Sequence, residues 1–248
     1  MTAIFKREFK SFFSSPIGYI FLAIMTFWSG LWFWMIFTSG SPDISVVILS
    51  ATTVIIFAIP ILTMRLMSDD RRQKVDQVLL TSPVSLTAIV LGKFLAAFAV
   101  FALAFAPTVI YEIVIAALVK VEIMAYIYPL LGMLLLGATL ISLGMFFSSL
   151  TESPALSAIL SIAINILVTY LPSIVSLIPT TAGETFLEKA AAVILKGVTL
   201  VLEKLSFISI AESFGENIFS IVNIVYFLSI IFFFLFLCVR SLEKRRWA

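Results

Sequence analysis

Histidine is absent from this 248-residue chain, cysteine occurs once, and charged residues make up only 12% of it. Without imidazole there is no His-based metal site, no His general base and no Ser–His or Cys–His nucleophile pair. The single Cys238 cannot form a disulfide within the chain, and its place in an apolar run reads as a small packing residue. A phosphate-cradling loop is missing too. Gly92-Lys93 has Thr87 where the first glycine of Gly-x-x-x-x-Gly-Lys-Ser/Thr belongs, and Phe94 where the hydroxyl belongs. The net charge of +2 does not suggest a nucleic-acid partner. A soluble domain carries about a quarter charged residues, so this chain has too little polar surface to cover a globule in water.

What is present is hydrocarbon: 62% of the residues are hydrophobic and 24 are Phe. A membrane-crossing helix needs roughly 20 apolar residues. Six such stretches are expected, at Ile17 to Thr38, Ile44 to Met64, Leu86 to Val119, Tyr126 to Leu150, Ala155 to Ile178 and Ile218 to Val239. The first is longer than a signal-peptide core and no small-x-small cleavage site follows it, so it reads as a retained span. The third is too long to cross upright and must tilt or kink, with Pro107 supplying a kink. Pro60 can kink the inner end of the second. The fold expected is an all-α integral membrane protein, a single transmembrane domain over residues 1–248.

Three segments depart from simple spans. Residues 1–16 place Ile4, Phe5, Phe9, Phe12 and Phe13 on one helical face, with Lys6, Arg7 and Lys10 elsewhere, as a helix lying in the membrane interface would. Residues 179–217 hold an apolar face broken by Glu188, Lys189 and Lys196; its apolar core is too short to cross, so an extracytoplasmic re-entrant helical hairpin or surface helix is expected between spans 5 and 6. Residues 65–86 form the most polar interruption. There Ser68 or Asp69 can cap a short helix running to about Val78–Leu80, with Asp69 and Asp70 at the positive end of its dipole. Arg71, Val75, Val78 and Leu79 make a mixed basic and apolar face, Arg72 adds charge, and Thr81-Ser82-Pro83 breaks the helix before Ser85 caps the next.

Charge sets the expected orientation. With both termini and residues 65–93 on one side, twelve Lys and Arg lie there, and four (Lys120, Lys189, Lys196 and Lys204) lie on the other, which together are all 16. The excess of basic residues marks the cytoplasmic side, so both termini are expected in the cytoplasm. Within the spans no carboxylate cluster, nucleophile–base pair or metal-ligand set stands out, which argues against an intramembrane enzyme. Glu112 is the ionisable group clearly inside a span and Asn165 is a polar one; together they are candidates to line a substrate path.

The opening IFKREFKSFFSSPIGYIF, the segment MRLMSDDRRQKVDQVLLTSPVSLTAIVLGKFLA and the ending YFLSIIFFFLFLCVRSLEKRRW resemble the ABC type-2 exporter permeases, including gliding-motility-type permease subunits. The resemblance implies that the first segment is an amphipathic elbow helix. It also implies that the second holds a coupling helix, with Ser68, Asp69, Asp70, Arg71, Arg72, Val75, Val78 and Leu79 contacting a separate ATPase. It further implies a cell-membrane transport subunit, not itself an enzyme, working with ABC ATPase subunits that carry ATP and Mg, and with a second permease chain, identical or related. No cofactor is expected in this chain. An ATP-independent secondary transporter or channel-like scaffold is the alternative; it predicts inverted repeats and a midplane ion site, and no repeat relates the two halves. The substrate is left open.

Overall fold

The structure, a computed structural model, describes residues 1–40, 43–74, 84–120, 122–176, 207–215 and 220–246. Among these residues there are ten helices and no strand: α1 Thr2–Ser14, α2 Pro16–Thr38, α3 Ile44–Thr63, α4 Arg65–Arg72, α5 Leu86–Leu103, α6 Ala106–Leu118, α7 Ile123–Leu150, α8 Pro154–Ser176, α9 Phe207–Gly215 and α10 Ile221–Arg246. Five stretches are long and apolar enough to cross a membrane: Pro16–Thr38, Ile44–Arg72, Leu86–Leu118, Ile123–Leu150 and Ile221–Arg245. The apolar stretch of α8, Pro154–Tyr170, is shorter. Of the segment 179–217, the described part is α9, and the rest of that expected hairpin lies outside the described residues.

The helix ends follow local chemistry. Ser15 is extended (φ −111°, ψ 155°) and Pro16, which needs no amide partner in a first turn, starts α2. Gly18 lies under Phe12, and a Cβ there would stand 2.5 Å from the Phe12 carbonyl oxygen, so only glycine lets the chain reverse this tightly. Asp43 accepts from the Ser45 amide at 2.9 Å and opens α3, and Ser85 accepts from the Ala88 amide at 3.3 Å and opens α5, as expected. The kink expected at Pro107 is present as a break at Ala104–Phe105, because Pro107 cannot donate to the Leu103 carbonyl and instead sits in the first turn of α6.

Two expected boundaries are corrected. The polar helix does not begin at a Ser68 or Asp69 cap. It begins at Arg65, because Met64 keeps helical angles (φ −53°, ψ −32°) and α4 runs on from α3. Lys74, with φ 58°, adopts the left-handed conformation that terminates helices. At the other end of the chain, the helix of the last expected span does not stop at Val239: α10 stays helical through Arg246.

α3 and α7 form the centre. They pack on one another, and α7 also carries α8, α9 and α10, while α2 and α8 flank α3. Their closeness rests on small residues, as in most membrane helix pairs. Gly144 sits against Thr63 and Gly137 against the ring of Phe101, each closer than a Cβ would permit. α2 and α10 are peripheral and leave much apolar surface outward, including Phe27, Trp34, Phe232 and Phe233. Trp28 ties α2 inward, donating from its indole to the Ser50 carbonyl at 3.0 Å. α9 is drawn into the bundle, with Phe214 fully buried on Gly132 and Ser213 accepting from Asn223 at 2.9 Å.

Candidate functional site

The polar chemistry gathers at the end of the bundle where α1, α4 and the start of α5 meet. Its centre is Lys93, on the first turns of α5, with 1% of its side chain exposed. A lysine is almost never this buried unless its charge is paired. Here Nζ has three oxygen partners from two helices: Asp70 Oδ2 at 2.7 Å and the Leu66 carbonyl at 2.6 Å, both on α4, and Glu8 Oε1 of α1 at 3.1 Å. These match the three donors of an ammonium group. Gly92, the preceding residue, makes the approach possible, since Ile4 of α1 lies 3.0 Å from where its Cβ would be. The Gly-Lys pair that fails as a phosphate loop is thus a seat for α1 and an anchor for α4.

Around this centre charges alternate. Arg7 bonds Glu8 at 2.5 Å and Arg65 faces Asp69 at 3.8 Å. Burial alone would lower the Arg7 pKa, but the hydrogen bond to Glu8 and the charges of Glu8 and Asp70 outweigh it and raise it above the ordinary value. These groups line a cleft of about 270 Å³ between α1 and α4. Three cations (Arg7, Arg65, Lys93) and three carboxylates (Glu8, Asp69, Asp70) balance there.

The opposite side of α4 is held by α7. The Ser148 hydroxyl accepts from the Met67 and Ser68 amides, both at 3.1 Å, and donates to the Met64 carbonyl at 2.9 Å. First-turn amides lack partners within their own helix, so Ser148 caps α4 from a distant helix. Ser68 itself is buried and donates back to Met64. Arg71 crosses to the α7–α8 turn, meeting Glu152 at 2.7 Å and the Leu150 carbonyl at 3.1 Å.

The residues expected at the coupling site therefore divide. Ser68 faces α7, Asp70 faces α1 and α5, Arg71 faces the Glu152 turn, and Arg72 closes the helix beside exposed Gln73. Val75, Val78 and Leu79 lie outside the described residues. Sequence reasoning missed Glu8, Lys93 as a centre, and Ser148. Glu8 was legible only as a lone acid in the basic opening segment, four residues before Phe12 on the packing face.

Glu112 and Asn165 are not joined by a hydrogen bond among the described residues. Glu112 is partly buried on α6, which packs on α2 and α3. Asn165 is buried on α8, against the other side of the centre, and its amide donates to the Ile56 carbonyl at 3.2 Å. That carbonyl is the one Pro60 leaves vacant, four residues on, because proline has no N–H. Asn165 thus restores the backbone bond that Pro60 removes, a requirement inside lipid.

Taken together, the apolar helices and the ion-paired junction at one end define a multi-pass helical membrane protein. The family model described as ABC-2 type transporter matches residues 1–186, and the chain belongs to that family, whose members form the membrane part of ABC transporters. A comparison with curated proteins returned no match.

Proposed function

We propose that the chain is the permease subunit of an exporter-type ABC transporter in the cell membrane, driven by separate ATPase subunits that bind ATP and Mg. The observation that carries this reading is the Lys93 junction. One buried cation binds α1 through Glu8 and α4 through Asp70 and Leu66 to the base of a membrane helix. A force applied to α4 therefore reaches α5 directly and, through Ser148, α7. In this reading α1 is the interfacial elbow, α4 is the coupling helix, and Val75, Val78 and Leu79 belong to the same coupling segment. α8 is the sixth span, and α9 is one arm of an outer re-entrant hairpin. Both termini are cytoplasmic, and two permease chains, identical or related, form the path at their seam. Glu112 and Asn165 are its polar candidates.

The test is reconstitution of the chain with candidate ATPase subunits in liposomes, following ATP hydrolysis and transport together. The expected result is ATPase association and ATP-dependent export. Failure of every candidate ATPase to associate, together with transport driven by a proton gradient alone, would sink the reading.

A further inference from the structure

A second polar feature lies at the same end of the bundle and is not part of the Lys93 junction. Between the last turn of α7 and α10 there is an open cleft of about 500 Å³. Four cations rim it: Arg71, Arg240, Lys244 and Arg245. Among the described residues, Glu152 pairs with Arg71 and Glu243 with Arg240. Lys244 is exposed, and Arg245 donates to the Ser149 carbonyl. The walls beneath the rim are hydrocarbon, from Phe146, Leu150 and Leu237.

Two further observations point to one occupant. The cleft sits where the apolar run of α10 gives way to charge, at Arg240, which is headgroup depth for a span of this length. Directly below it Phe232, Phe233 and Phe236 are exposed along α10, with the Arg240 guanidinium 5.0 Å from the Phe236 ring centre. A soluble anion would use the rim alone. A molecule with a phosphate head and acyl chains would use both rim and wall. The geometry points to a binding site for an anionic phospholipid, its phosphate among Arg240, Lys244 and Arg71 and one acyl chain along the exposed phenylalanines of α10. A bound phosphate would compete with Glu152 for Arg71, so lipid composition would bear on the hold between α4 and the α7–α8 turn. That last consequence rests on the coupling role proposed above, whereas the lipid site does not.

The experiment uses the full chain in nanodiscs of phosphatidylcholine with a minor fraction of phosphatidylglycerol, and native mass spectrometry to count retained lipids. Basic residues near a membrane surface each contribute about 1 kcal/mol to anionic-lipid attraction. Replacing both Arg240→Gln and Lys244→Gln should therefore lower phosphatidylglycerol retention relative to phosphatidylcholine by roughly 25-fold, while Lys244→Arg keeps it. Both positions are solvent-facing, and an unchanged thermal midpoint in pure phosphatidylcholine controls for folding. Equal retention of the two lipids by the wild-type chain would overturn the site, as would equal retention by the wild type and the double variant. Displacement of the lipid by millimolar inorganic phosphate would overturn the acyl-chain part. Loss of ATPase-subunit binding in the double variant with lipid retention intact would assign the cleft to the protein partner instead.

Discussion

Lys93 Nζ stands 2.7 Å from Asp70 Oδ2 with 1% of the lysine side chain and 20% of the aspartate side chain exposed, so the ion pair between α5 and α4 is largely buried. Such a pair is costly to break from one side, because the surviving charges stay buried. Lys93→Met should destabilise the chain by about 3–5 kcal/mol, read as a fall in thermal midpoint in detergent. The triple variant Glu8→Gln, Asp70→Asn, Lys93→Met should recover most of that loss, since the cation left without its carboxylate, Arg7, has 46% of its side chain exposed. Equal losses in the single and triple variants would show that the charges do not act as a unit.

Asn165 and Pro60 are expected to depend on each other. Asn165→Ala frees the Ile56 carbonyl and should cost about 0.6 kcal/mol, the average for hydrogen bonds between membrane helices. In a Pro60→Ala background the new amide can take the same carbonyl, and the Asn165→Ala cost should vanish. A double-mutant cycle measured by thermal unfolding checks this. Transport altered by Asn165→Ala in both backgrounds would instead favour a place in the substrate path.

Ser148→Ala removes the cap of α4. The expected cost is about 1 kcal/mol, the usual value for losing a helix cap. Faster hydrogen exchange should follow at Met67 and Ser68, the two amides it serves. Protection unchanged at both amides would mean that the cap contributes nothing.

Much of the architecture was legible because hydrophobic length and proline placement are local signals. Five of the expected spans, the Ser85 cap and the break near Pro107 follow from residues within one or two turns of one another. The junction was not legible for the opposite reason. Lys93 draws its partners from residues 85 and 27 positions away. A charged residue in a polar interruption reads as solvated until those partners are in place. The misplaced start of α4 has the same origin. Ser68 has the side chain of a cap, but the amides are served by Ser148, about 80 residues on.

Gly137 tests the close packing of α5 on α7. Gly137→Leu would collide with Phe101, which is fully buried and has little room to turn. Overpacking of this kind costs about 1–3 kcal/mol. Gly30→Ala is the control, since its Cβ would meet the Tyr111 hydroxyl at an ordinary 3.5 Å and should be tolerated. Comparable expression and melting of Gly137→Leu and the control would contradict the packing.

Arg71→Glu places like charges together at the α7–α8 turn. Glu152 is 66% exposed, so the stability change should be under about 1 kcal/mol. The expected effect is on coupling: ATP hydrolysis persists while transport per ATP falls. Adding Glu152→Arg should restore it. Normal coupling in Arg71→Glu would move the contact with the ATPase elsewhere on α4 or onto the turn itself.

The unbroken course of α10 has a mechanical consequence. Its 26 residues form a rod about 39 Å long. Near one tip Arg245 is hooked to Ser149, and near the other Asn223 is hooked to Ser213 of α9. A rod pinned in this way behaves as a lever: a tilt of about 10° displaces one tip by about 7 Å relative to the other. Movement at the basic end would reach α9 at the far face through the backbone of a single helix, with no chain of side chains needed to relay it.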